Sequence, residues 1–388
     1  MYAYRGGFPR EDTPEDGGLE RDWFDGYSIG AEQRVSVAIM DQLGATIGGV
    51  GQFHPVADQV VVDDYYDYLE ERREMYVGAG YGMVDLVLPK LRISAGVRFD
   101  AYGTSARVSS CGCGDTFGSS WNPRAAAVFK PYEAGTSKVV FGKAFRAPST
   151  YELFYNDDGA TQVESPDLGA EEIWSIDIEH LHRLSKTWQA GISVYLTRTT
   201  GAIVSEVLPA IDPMDPEVFH YVNSTAPLAT SGGELRLRRE WAQGWMFEVS
   251  YSLQLAAYLS SDDFGALITF QKSPDHRDVA NVPMQMAALK GAVPILKKAL
   301  TLGTRLTFET GRATRQELVT DPPQSQTDAY LVWDLVLRGE ERQSGLTYAF
   351  GVYNAFDMRY AQPVAEDFTQ STFPGQGRTF MADLGLRF

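Results

Sequence analysis

The feature that most limits how this chain can fold is a two-residue period that returns along nearly its whole length. Its last stretch, Gly377 to Phe388, puts Phe380, Ala382, Leu384, Leu386 and Phe388 on one face of an extended strand. Met381, Asp383, Gly385 and Arg387 fall on the other. A strand of a soluble sandwich carries the same alternation, so the ending decides little alone. The repetition carries more weight. Trp245, Phe247, Val249, Tyr251, Leu253 and Leu255 oppose Met246, Glu248, Ser250, Ser252 and Gln254, and Leu91, Ile93, Ala95, Val97 and Phe99 oppose Arg92, Ser94, Gly96 and Arg98. Counted this way, the pattern predicts about fifteen strands.

The connections sort themselves by length. Short turns are expected around Asp41, Pro89, Gly135, Ser185, Gln243, Leu296 and Gln343. Polar loops of roughly fifteen to thirty residues alternate with them, an arrangement compact soluble domains seldom show. They include the acidic, tyrosine-rich segment that runs on to about Glu71, the segment up to about Ala170, and Thr197 to about Thr230. Strands of ten or more residues suit a tilted membrane crossing better than a sandwich. Charges in mid-strand, at Glu248, Asp334 and Asp383, suit a hydrated lumen and not a dry core. Trp188, Trp241 and Trp245 lie beside short turns, where an aromatic girdle would place them; core packing in a sandwich is the other reading. The expected fold is all-β, a transmembrane antiparallel β-barrel.

Composition closes off other classes. No run of about eighteen apolar residues occurs, so a helical span is excluded. A net charge of -17 without a local basic patch argues against nucleic acid. The acids gather in expected loops, at Glu11 to Asp16, Asp63 to Glu71, Asp157 and Asp158, Asp212 to Glu217, and Asp262 with Asp263. They read either as solvated loop surface or as attraction for a cation. The two cysteines, Cys111 and Cys113, sit in a Gly/Ser-rich loop. With one residue between them a disulfide would be strained, and no further ligand completes a zinc site, so both are expected as plain loop residues. Met1 to Phe8 has no charged and then apolar region of a signal peptide, which an exported chain in its full length should carry.

One stretch is more specific than any period. Phe141 to Phe154 reads Phe-Gly-Lys-Ala-Phe-Arg-Ala-Pro-Ser-Thr-Tyr-Glu-Leu-Phe, followed by Ser165-Pro166-Asp167-Leu168-Gly169-Ala170-Glu171. Later come Ser273-Pro274-Asp275-His276, Val352 to Tyr360 with Asn354-Ala355-Phe356, and Pro374-Gly375-Gln376-Gly377-Arg378 before the last strand. Together these resemble the TonB-dependent outer-membrane receptors, with Ser165 and Ala170 departing from that family's pattern. The resemblance implies a barrel of about twenty-two strands with a plug folded in its lumen. Residues 1–388 would then supply the C-terminal portion of that barrel, with no plug domain and without the segment that engages TonB.

What the resemblance implies for function is uptake, not catalysis: a receptor in the outer membrane, its barrel wall in lipid, that captures a scarce extracellular ligand such as an iron-siderophore or similar metal chelate. TonB would energise it through the plug. The loop after the first motif holds Tyr151, Tyr155, Asp157 and Asp158 beside Arg146, and aromatics with a few charges suit such a ligand. Arg146 and Glu152 can equally hold the loop as a charge pair. Haem receptors of the family carry a histidine between the two loop motifs, and Ser149 to Glu164 has none. No resident cofactor, structural metal or catalytic constellation is expected; His180 and His182 share a strand face but lie near a short turn, where solvation is the simpler reading. Rival readings are a passive porin-like or adhesive barrel, a truncated non-functional receptor, and an enzyme.

Overall fold

The computed structural model describes residues 2–9, 19–62, 67–109, 111–157, 159, 161–208, 218–261, 263–274, 279–296, 299–314, 326–341, 343–364 and 370–387. In chain order the elements are β1 (Tyr2–Pro9), β2 (Leu19–Met40), β3 (Leu43–Val62), β4 (Asp67–Leu88), β5 (Leu91–Ser109), β6 (Thr116–Tyr132), β7 (Gly135–Arg146), α1 (Thr150–Phe154), β8 (Glu171–Arg183) and β9 (Trp188–Thr200). There follow β10 (Ile203–Val207), β11 (Phe219–Asn223), β12 (Leu228–Glu240), β13 (Met246–Tyr258), α2 (Phe264–Thr269), β14 (Gln285–Leu296) and β15 (Leu300–Glu309). The last are β16 (Tyr330–Glu341), β17 (Leu346–Tyr353), β18 (Ala361–Pro363), β19 (Thr372–Pro374) and β20 (Thr379–Leu386).

Sixteen strands hydrogen-bond in chain order into one antiparallel sheet, from β1 through β9, then β12 to β17, then β20. The ribbons β10–β11 and β18–β19 stand outside it. The strand count therefore agrees with the periodic reading, with β1 as an addition. Tight turns fall where expected, at Asp41–Gln42 and Pro89–Lys90 among others.

Two expected loops contain strand instead. The acidic segment before Glu71 continues the β3–β4 hairpin, with Val60 opposite Glu70 and Val61 opposite Leu69. Two of its acids are paired locally: Arg72 meets Glu70 and Arg73 meets Glu71. Meanwhile Val60 and Leu69 are buried, so the hairpin is fastened by apolar contact as well as by its ladder. The connection from Thr197 to Thr230 likewise folds the β10–β11 ribbon, registered from Ile203 opposite Asn223 to Val207 opposite Phe219. A third correction concerns the cysteines. Cys111 and Cys113 are joined, because Gly112 at φ +65° turns the chain back and leaves their Cα atoms 5.2 Å apart, within bridging range.

The burial of the sheet is inverted relative to a soluble protein. Val249, Leu253 and Leu255 lie on one face of β13 and are exposed, Leu255 at 41%, whereas Glu248 on the other face is 7% exposed. Glu248 is held by Arg238 at 3.1 Å and Lys290 at 3.0 Å. Asp334 repeats the arrangement, accepting from Arg305 at 2.8 Å and from the Asn354 backbone N–H at 3.0 Å. An apolar face without protein cover, backed by a face of paired charge, is what strands between lipid and water require. Among the described residues no helix is long and apolar enough to cross a membrane, so any crossing is made by strands.

By packing, the chain forms two compact units. The first comprises Met1–Ala127, Val140–Ser175 and Arg198–Pro227; the second comprises Val128–Val139, Ile176–Thr197 and Leu228–Phe388. The first contains a small apolar core of Val61, Leu69, Leu153 and Phe154. The second is organised by the ion pairs of Glu248 and Asp334 and by a loop built on Asn354. That residue is at φ +49°; its carboxamide donates to the carbonyls of Met358 and Gln376 and accepts from the Met358 N–H.

Candidate functional site

The site expected from the sequence lies in the first unit, where β7 ends. Pro148 has no N–H to continue a ladder, and Ser149 caps α1: its hydroxyl accepts from the Glu152 N–H at 3.2 Å while the Glu152 carboxylate accepts from the Ser149 N–H at 2.7 Å. Arg146 then draws three elements together. Its guanidinium donates two hydrogen bonds to Glu152 at 3.0 Å and one at 2.9 Å, and reaches Glu171, the first residue of β8, at 2.8 and 2.9 Å. Glu171 in turn accepts from the Ile203 N–H of β10 at 2.7 Å.

Burial pushes the Glu152 carboxyl up, but the bond from Arg146 and those from Ser149 outweigh it and leave it below the usual carboxylate range. Asp157 behaves alike. Its carboxylate is nine-tenths buried and accepts the N–H groups of Thr161 and Gln162, each at 2.9 Å, together with the Thr161 hydroxyl. Burial raises it; the bonds from Gln162 and Thr161 lower it further than burial raises it.

The loop is also sewn to the β10–β11 ribbon. The Val163 N–H donates to the Phe219 carbonyl, and the Tyr221 N–H donates to the Ser165 hydroxyl at 2.9 Å. The Asn223 carboxamide bridges the carbonyls of Gly169 and Gly201 at 3.0 and 2.8 Å and accepts from the Gly169 N–H. On this frame the Tyr151 and Tyr155 rings lie against each other, tilted by 32° with centroids 4.6 Å apart, and Tyr221 meets Tyr151 edge-on at 6.5 Å.

Beneath lies a dry knot. The Arg73 guanidinium sits 3.6 Å from the centre of the fully buried Phe154 ring and binds Glu71 at 2.7 Å. Arg73 also donates to Thr104 and to the Gly114 carbonyl, and Ser109 donates to Glu71. Both cysteines pack on the same core. The disulfide loop is thus pinned under α1.

Of the five residues singled out in the sequence, the structure brings Arg146, Tyr151, Tyr155 and Asp157 into one loop assembly, and Asp158 lies outside the described residues. The guanidinium of Arg146 and the carboxylate of Asp157 face protein groups; the two tyrosines form an aromatic step. The spacing did not reveal the Glu71–Arg73–Phe154 knot or the tie from Glu171 to Ile203. One signal for the first was available, an acid and a base two apart in a strongly charged strand, but nothing local tells such a pair from a solvated one.

The chain matches the family described as TonB dependent receptor-like, beta-barrel over residues 5–355, and it belongs to that family. A search of curated proteins finds no match. Among solved structures it is similar to the copper transporter OprC at 13% identity and a TM-score of 0.73, over 98% of this chain and 60% of that one. It is similar to the ferric citrate transporter FecA in its unliganded form at 13% identity and a TM-score of 0.72, over 99% and 57%. A third is the ferric yersiniabactin uptake receptor FyuA from Yersinia pestis, at 14% and 0.68, over 98% and 56%. The likeness is one of fold: a transmembrane antiparallel β-barrel, of which this chain is a partial set of strands. It spans between 56% and 60% of the length of these three.

Proposed function

We propose that the chain is the barrel portion of an energised outer-membrane receptor of a Gram-negative cell, which captures a scarce extracellular ligand and passes it inward. The ligand class is a siderophore or similar metal chelate, and release is driven by the TonB complex through a plug. The observation that carries this reading is the loop platform after β7. A long connection that is capped, clamped by Arg146 and sewn to a second ribbon is suited to recognition, since its described part is already held by its own hydrogen bonds.

In this reading Tyr151 and Tyr155 supply ring faces to the ligand, while Arg146 and Asp157 hold the loop that presents them. Asp158, next in sequence to Asp157, is kept as a candidate ligand contact on the sequence reading alone. Family membership and the fold of metal and siderophore transporters support transport over catalysis. The test is binding of a panel of ferric chelates to the receptor, followed by tryptophan fluorescence, together with uptake in cells with and without TonB. Tyr151→Ala with Tyr155→Ala should weaken binding by about tenfold or more, the scale of about 1.4 kcal/mol for lost aromatic contacts. Uptake that is independent of TonB, or binding indifferent to both tyrosines, would overturn the reading.

A further inference from the structure

The second unit carries an arginine that the paired charges of the sheet do not explain. On β12, Arg238 lies opposite Glu248 and is bonded to Glu240 and Glu248. Its neighbour Arg239 lies opposite Phe247, in the row that continues through Leu237 opposite Val249 and Leu235 opposite Tyr251. That row is the apolar face, where Leu235, Val249 and Tyr251 are exposed. The Arg239 side chain has no hydrogen bond or ion pair to a described residue, and its Nε is buried without a partner. Two indoles flank it: the guanidinium carbon is 4.9 Å from the Trp188 ring and 4.1 Å from the Trp241 ring. Both tryptophans adjoin short turns.

A trough of about 370 Å³ begins two residues further along each strand, at Ala190 on β9 and Leu237 on β12, with Ile192 and Val249 in its wall. His180 and His182 border it, and the Tyr132 hydroxyl joins them at 3.0 and 2.8 Å. The row thus runs from a cation held between aromatic rings, past a polar edge, into an apolar channel.

We propose that this row is a phospholipid site: the Arg239 guanidinium between Trp188 and Trp241 takes the phosphate, and the trough above takes one acyl chain. The chemistry matches at each level. A guanidinium pairs with phosphate oxygens through parallel N–H donors, and its stacking on indole fixes the direction of that fork. Tryptophans beside the turns set the depth of the headgroups. An arginine without a protein partner on a lipid-facing strand is stabilised by an anion at that depth. A free phosphate would use the guanidinium and leave the trough unused, so the lipid is the occupant the whole row fits. The inference rests on the membrane reading of the apolar face, not on the choice of transported ligand.

The experiment is native mass spectrometry of the full chain released from non-ionic detergent micelles containing dimyristoyl phosphatidylglycerol. The wild type should retain one lipid. Arg239→Gln should reduce that retention about tenfold, the scale of a lost charge-assisted bond, while Lys90→Gln at another short turn leaves it unchanged. Ala190→Trp, which fills the trough without touching the guanidinium, should reduce it comparably, and this second variant guards against a folding defect in the first. Inorganic phosphate in millimolar excess should not displace the lipid. Wild-type retention in both variants, or complete displacement by phosphate alone, overturns the proposal. A chain that binds no detergent belt at all overturns the membrane reading with it, and that result is distinguishable from loss of the single lipid.

Discussion

Two buried ion pairs, one in each unit, show how differently the same chemistry can be used. In the first unit Glu71 and Arg73 are 0% and 1% exposed and sit against Phe154, so neither charge has water to return to. In the second, Glu248 is buried but its partners Arg238 and Lys290 keep about two-fifths of their side-chain surface exposed. The first pair is part of a dry core that fastens loops; the second lines a hydrated face. Breaking a dry pair leaves an uncompensated charge, whereas a wet one relaxes into solvent.

The comparison can be broken most directly at the ring. Phe154→Ala removes the centre of the small core and should destabilise the loop platform by about 3–5 kcal/mol, read as faster amide exchange across 147–170 while the strands of the second unit are unaffected. Glu71→Gln should follow at about 3 kcal/mol by the same readout, because Arg73 is left buried and unpaired. Glu248→Gln sharpens the contrast: its effect on exchange in β13 should stay within about 1 kcal/mol. Equal effects from the two carboxylates would remove the distinction between dry and wet pairs. Ser149→Ala deletes one half of the capping box and should cost about 1 kcal/mol, confined to α1.

The smallest expected effect is one of pH. The Asp157 and Glu152 carboxyls both lie below their ordinary values in the folded loop. Their contribution is therefore present above the unfolded-state values near about 4 and is lost as pH falls through the lower folded values. Loop amides at Thr161 and Gln162 should lose protection on acidification below about pH 4, and Asp157→Asn should abolish that dependence. Protection unchanged down to pH 2 would show that the loop does not depend on these carboxylates.

Much of the fold was legible residue by residue. Val249, Leu253 and Leu255 could be assigned to one face of β13 from spacing alone, and the tight turns at Asp41 and Pro89 follow from where the period breaks. The Ser149-x-x-Glu152 box rests on an equally local spacing, which the sequence reading did not single out. The platform was only partly legible: Arg146 and Glu152 are six apart and could be paired on paper, but Glu171 joins them from another strand. Charge taken as a sign of solvent makes the extension of β3 and β4 look like loop, whereas Arg72 and Arg73 neutralise Glu70 and Glu71 within the same strand.

By itself, then, the sequence determined the period, the turns, the two-faced strands and the family motifs, since each depends on residues within a few positions of one another. The tertiary structure alone decided which charges are dry, that Cys111 and Cys113 join beneath α1, and that Arg239 stands between two indoles over an apolar trough. The disulfide itself closes locally through the Gly112 turn; its packing on Phe154 and the other outcomes depend on contacts between segments far apart in the chain, which leave no spacing in the sequence to read.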